Sequence, residues 1–167
     1  MTRPAREPRT LGKTLGCHDR ALRLLAVRAR SRRELERRLL RAGFDRDEVR
    51  GELDRLEGVG LVDDEAFARQ VAAHEFGVRR SGRRVVTGAL ISKGVAPAVI
   101  ENVLSELDDD EDGRIDGLAR SRAARLTGID PATAFGRLTS FLIRRGYDPG
   151  SARTAARRAL EVEGTDD

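Results

Sequence analysis

The sequence predicts an all-α protein built as three tandem three-helix repeats, and three observations carry that prediction. The first is a glycine followed by a large residue, used three times at the end of an apolar stretch. It occurs as "LLRAGFDRDEV" (39–49), "LISKGVAPAVI" (90–100) and "LIRRGYDPGSA" (142–152), with glycines at 43, 94 and 146. Such even spacing marks a repeated structural unit. The second is apolar periodicity near 3.6 throughout, with no convincing period of two. The third is composition: 36% charged, 39% apolar, only 4% aromatic and no Trp. That mixture buries aliphatic helix faces in layers more readily than it builds one thick aromatic core.

The first repeat, 18–60, opens with "HDRALRLLAVR", whose Asp19 suits the positive end of a helix dipole. "SRRELERRLL" follows, with Ser31 and Glu34 spaced as a capping box and Leu35, Leu39 and Leu40 on one face. The corner then reads as a Schellman ending. Gly43 takes the left-handed position and Phe44 packs back on Leu39. Asp45, three residues before Glu48, caps a third helix carrying Val49, Leu53 and Leu56.

The second repeat, 61–107, follows the same plan. "DDEAFARQVAAHEFGVR" has an acidic first turn, "GRRVVTGALI" is the middle helix, and the corner pairs Val95 with Leu90. Ala96-Pro97 keeps only the helix-compatible proline before Ile100, Leu104 and Leu107. An acidic linker is expected over 108–112, and the third repeat over 113–163. "DGRIDGLARSRAARL" leads it, Asp130-Pro131 starts "AFGRLTSFLI", and Tyr147 packs on Leu142. Asp148-Pro149 begins the last helix, with Ala152, Ala156 and Ala159 on its face. Residues 1–17 read as a disordered basic tail and 164–167 as a short acidic one.

Charge is uneven although the net is only +4. Residues 1–60 carry 16 basic and 10 acidic side chains, 61–113 carry 6 and 11, and 114–167 carry 10 and 7. The chemistry for catalysis is thin. Cys17 is the one cysteine, so an internal disulfide is excluded and a reducing compartment fits. His18 and His74 are the only histidines, and no triad order, phosphate loop or HExxH pattern occurs. Asp63-Asp64 reads as helix capping. "DDDEDG" from Asp108 puts Gly113 at the sixth place of a calcium loop but Ala119 at the twelfth, where a glutamate is needed. Neither an enzyme nor a metal or cofactor is expected. No apolar run reaches the roughly 20 residues of a membrane span, so a cytoplasmic protein without membrane association is expected, as a monomer.

What remains is binding through arginines. Aligned on the glycines, Arg28, Arg32 and Arg33 coincide with Arg79, Arg83 and Arg84. Equivalent positions of a repeat array recur along one face, so these two triplets are the candidate partner-binding residues. The third copy has Pro131, Phe135 and Gly136 there, and the series stops.

"RALRLLAVRARSRREL" (20–35), "GLVDDEAFA" (60–68), "GRRVVTGALISKGV" (82–95) and "FLIRRGYD" (141–148) resemble, in order, segments of the RecX regulatory proteins of bacterial recombination. The resemblance covers about 18–160. One departure is that Arg83-Arg84 follows Gly82, where the family often has an aromatic–proline pair. The resemblance implies an elongated, curved array of the three repeats and a RecA filament as partner, with single- or double-stranded DNA a further candidate. It implies modulation, usually negative, of RecA ATP hydrolysis, strand exchange and LexA cleavage. A helix-turn-helix transcription regulator is the alternative. Its reading helices would begin "DRDEVRGE", "APAVIENV" and "DPGSARTA", which offer few donors to base edges.

Overall fold

The computed structural model describes residues 15–107 and 110–163, and among them every regular element is a helix. The tails expected at 1–17 and 164–167 lie largely or wholly outside the described residues. The chain divides into two compact units, one ending at Asp63 and the other beginning at Asp64.

The first unit holds α1 (Cys17–Val27), α2 (Arg32–Arg41) and α3 (Arg46–Gly58). Leu35, Leu39, Val49, Leu53 and Leu56 close its core with Ala21, Phe44 and Val62. The corner forms as its sequence dictates. Gly43 has φ 92°, its N–H donates to the Leu40 carbonyl at 3.0 Å, and the Phe44 N–H reaches Leu39 at 3.4 Å. Ser31 caps α2 by accepting the Glu34 N–H at 3.1 Å. Asp45 caps α3 through the Asp47 N–H at 2.8 Å. Cys17, assigned above to the tail, is instead the first residue of α1 and belongs to the core, because its small apolar side chain is covered by this unit.

The second unit holds α4 (Asp64–Gly77), α5 (Arg83–Ser92), α6 (Pro97–Leu107), α7 (Glu111–Ala123), α8 (Pro131–Arg144) and α9 (Pro149–Glu163). Two cores form, one from α4–α6 around Phe67, Val86, Leu90 and Leu104, the other from α7–α9 around Ile115, Leu138, Leu142, Tyr147 and Ala156. Both corners repeat the geometry of the first. Gly94 and Gly146 have φ 83° and 94°, and the Val95 and Tyr147 N–H groups reach back to Leu90 and Leu142 at 3.1 and 3.3 Å. Asp130 caps α8 by accepting the Thr133 N–H at 2.9 Å.

One expectation needs correction here. The acidic stretch 108–112 is not all linker. Asp110 caps α7 through the Gly113 N–H at 2.9 Å, and Glu111 and Asp112 are already helical. The second and third repeats share backbone hydrogen bonds. The first turn of α5 has no side-chain cap at Gly82, and its N–H groups are satisfied from the third repeat. Gly82 donates to the Arg145 carbonyl at 2.8 Å and Arg84 to Gly146 at 3.3 Å. Arg83 donates to the Glu111 carboxylate at 3.1 Å. In the first repeat Ser31 fills this role with its own hydroxyl. At the aligned position the second repeat has a glycine, because another backbone occupies the space.

Candidate partner-binding surface

Each arginine triplet brackets the start of the middle helix in its repeat, and the members of a triplet differ in how far they are committed. Arg28 ends α1 and reaches Glu34 at 2.6 Å. Arg32 grips Asp54 at 2.6 Å and also pairs with Glu57, tying α2 to α3. Burial opposes the Arg32 charge, but the Asp54 and Glu57 carboxylates outweigh it and hold the guanidinium above its ordinary pKa. Arg33 is exposed, with no carboxylate partner among the described residues.

The second triplet repeats this division. Arg79 pairs with Glu75 at 3.2 Å, and its carbonyl accepts from the Arg145 guanidinium at 2.7 Å. Arg83 reaches Glu101 at 3.2 Å and the Leu104 carbonyl at 3.2 Å, tying α5 to α6 as Arg32 ties α2 to α3. Arg84 is exposed and, like Arg33, has no carboxylate partner among the described residues. Thus Arg32 and Arg83 are inter-helix struts, and Arg28 and Arg79 are held by acids of their own repeat. Of the six, Arg33 and Arg84 alone offer guanidiniums that a partner can take without breaking an ion pair among the described residues.

The sequence reading missed the carboxylate beneath the first triplet. Glu34 is buried and gathers Arg28, Arg30 and Arg38. Arg30, itself buried, also donates to the Leu24 carbonyl at 3.0 Å. Burial raises the Glu34 pKa, but the three guanidiniums overcome it and hold the carboxyl below its ordinary value. A glutamate three residues after Ser31 signals a capping box, and nothing local shows that it also anchors a cluster. Sequence reasoning also passed over three exposed arginines of the third repeat, Arg122, Arg137 and Arg144, which line one groove. Their signal was a seven-residue interval on α8 with no acid on that face.

The other candidate groups have structural duties. The Cys17 thiol is buried, and its pKa is pushed up to about 11 by that burial and by the charges of Glu48 and Glu52. A thiol so protonated at neutral pH is a poor nucleophile. His18 bonds Glu52 at 2.7 Å, joining α1 to α3. Asp64 sits in the first turn of α4. Among the described residues no set of three His, Cys, Asp or Glu side chains is placed to hold a metal ion, and no helix is long and apolar enough to cross a membrane.

Residues 17–56 match the family model for the first three-helix domain of RecX, and residues 63–104 the one for its second. The regulatory protein RecX of Mycobacterium avium is 40% identical over 144 residues, spanning 85% of this chain and 83% of that protein. That of Amycolatopsis mediterranei is 35% identical over 144 residues, spanning 86% and 82%. The crystal structure of RecX from Lactobacillus salivarius matches with a TM-score of 0.78 at 20% identity, over 87% of this chain and 95% of that one, a likeness of fold.

Proposed function

Starting from the fact that the chain belongs to the RecX family of regulatory proteins, we propose that it binds the RecA filament and restrains it, lowering ATP hydrolysis, strand exchange and coprotease activity. The observation that carries the reading is family membership over more than four-fifths of the chain. The helical repeats add physical support, since an array of small units can meet a repeating filament through many modest contacts and needs no single deep pocket.

Within this reading the six arginines Arg28, Arg32, Arg33, Arg79, Arg83 and Arg84 form the docking set in graded roles. Arg33 and Arg84 make contact, Arg32 and Arg83 hold the helices that carry them, and Arg28 and Arg79 fix the turns before those helices. The helix-turn-helix alternative gains nothing from the geometry. The first turns after the three corners hold Arg46 beside Asp47 and Glu48, then Pro97 and Ala98, then Pro149 and Gly150. None presents the set of donors that base edges require.

The test is direct. The protein is added to RecA, ATP and single-stranded DNA, and phosphate release is followed. Falling hydrolysis, together with binding to a RecA filament stronger than to random duplex in a gel shift, supports the proposal. Unchanged hydrolysis with tight, sequence-selective duplex binding would sink it.

A further inference from the structure

The third repeat carries a basic surface that the arginine triplets do not include. Between Gly117 and Tyr147 the chain has six arginines and a single carboxylate, Asp130. Three of the six, Arg122, Arg137 and Arg144, converge on one open groove between the end of α7 and the length of α8. All three are exposed and none has a carboxylate partner among the described residues. Asp130 does not neutralise them. It is spent as the cap of α8, accepting the Thr133 N–H at 2.9 Å and the Thr133 hydroxyl at 3.0 Å.

Arg137 and Arg144 stand seven residues apart, two turns or roughly 10 Å along the helix axis. The floor between them is Gly136 and Ser140, so a backbone can approach closely. A Cβ on Gly136 would meet nothing within 4 Å. At one wall Phe141 is half-buried, with the Arg122 and Arg145 guanidiniums over its ring at 5.1 and 5.4 Å.

We propose that this groove binds the sugar–phosphate backbone of a single nucleic-acid strand. Arginines with serine and threonine hydroxyls are the side chains that hold phosphate oxygens. Arginine also serves protein hot spots, but there alongside Trp and Tyr in well-packed pockets; this groove is open, holds neither, and none of the exposed large aliphatic side chains, Ile91 and Leu107 among them, lines it. A single strand is favoured over a duplex because the ring and stacked guanidiniums offer a platform to an unpaired base. The ligand is naked nucleic acid, so the groove's role is independent of the RecA reading.

The experiment uses the whole chain and a fluorescent oligo-dT, followed by anisotropy across a salt series. Wild type should bind with a steep salt dependence. R137E/R144E should lose at least tenfold in affinity, with unchanged circular dichroism. R122A/R137A/R144A, milder for folding, should flatten the slope of log K against log salt by about 0.7 for each phosphate no longer held. R137K/R144K should retain most of the binding. Unchanged affinity and slope in the alanine variant overturn the proposal. So does displacement of the oligonucleotide by polyglutamate at equal charge, which would make the groove an acidic-peptide site. Equal competition by duplex would likewise overturn the single-strand assignment. RecA inhibition that survives in R137E/R144E while strand binding disappears supports the groove assignment and shows that the two readings are separate.

Discussion

Gly82 and Gly146 meet backbone to backbone: a Cβ on Gly82 would lie 2.5 Å from the Gly146 carbonyl carbon, and one on Gly146 would lie 2.6 Å from the Val85 nitrogen. Backbone cannot give way as a flexible side chain can, so this approach requires glycine on both sides. Gly146 is constrained twice, since it also holds φ 94° at its corner. Around the contact, Tyr147 is fully buried and its hydroxyl donates to the Arg80 carbonyl at 2.9 Å. Arg114 lies over the Phe76 ring at 4.4 Å. The corner of the third repeat is therefore the cap of the middle helix of the second.

The first prediction follows from that contact. Gly82→Ala, at an ordinary φ of −78°, should cost about 2–4 kcal/mol purely through the forced separation of the two backbones. Gly146→Ala should cost more, because backbone strain is added. Gly88→Ala lies in the same helix, where a Cβ meets nothing within 4 Å, and should stabilise by about 0.5–1 kcal/mol through helix propensity. Urea unfolding of the three variants tests this. A Gly82→Ala protein as stable as wild type would mean that the close approach contributes nothing.

The same contact sets where the chain can be divided. Residues 64–163 should melt cooperatively by far-UV circular dichroism. Residues 64–107 should melt at a much lower temperature, since the first turn of α5 is deprived of the Arg145 and Gly146 carbonyls and the Glu111 carboxylate. Water replaces these partners in the fragment, so each lost hydrogen bond costs about 0.5–1.5 kcal/mol, and the three together are a large share of the stability of a small unit. Equal melting of the two fragments would mean that the third repeat contributes nothing to the start of α5.

Glu34 supplies a pH dependence. Its carboxyl is held below the ordinary value of 4.5 in the folded chain. Its contribution is thus present above about pH 4.5 and disappears as pH falls through the lowered folded value. Glu34→Gln should destabilise by about 2–4 kcal/mol at pH 7, chiefly by stranding the buried Arg30, while Arg28 and Arg38 can turn to water. Urea midpoints at successive pH values check it. The gap between wild type and variant should narrow below pH 4.5, and a gap that stays constant down to pH 2 would remove Glu34 as its source.

How much of this was legible depended on how local its cause was. The three corners could be read directly, because a Schellman ending is written within six residues: Leu39 to Phe44, Leu90 to Val95, Leu142 to Tyr147. The caps at Ser31, Asp45 and Asp130 were equally local. Gly82 was legible only as the start of a helix without a cap. Its donors are satisfied by Arg145 and Gly146, more than 60 residues away, and no periodicity records that pairing. Glu34 was visible as a capping residue and not as the anchor of three arginines, since Arg28 and Arg30 arrive from the turn preceding its helix. Among the arginines, repeat alignment found equivalent positions and could not grade them. Whether a guanidinium is free depends on which acids the third helix of each repeat brings near, as Asp54 and Glu101 show.

That grading yields the last prediction. Arg33 and Arg84 are equivalent positions, both exposed and both without a carboxylate partner among the described residues. Single surface charges are worth about 0–1 kcal/mol, so under the proposed function Arg33→Glu alone should barely move affinity for the RecA filament. R33E/R84E changes the charge by four and replaces two attractions with two repulsions. It should weaken filament binding beyond tenfold, a step that needs only about 1.4 kcal/mol. Folding should survive, because neither side chain braces a helix. Arg83→Ala makes the contrast: it gives up Glu101 and the Leu104 carbonyl and should lower stability before it lowers binding. Salt then identifies what the pair touches. If it meets phosphates, alanine at both positions should flatten the log K against log salt slope by about 1.4 for a single strand. If it meets RecA carboxylates, affinity for free DNA should hold while filament affinity falls. The measurement is the concentration of protein that halves RecA ATP hydrolysis, taken beside a circular dichroism melt. A folded R33E/R84E protein that inhibits at the wild-type concentration would show that neither arginine touches the filament.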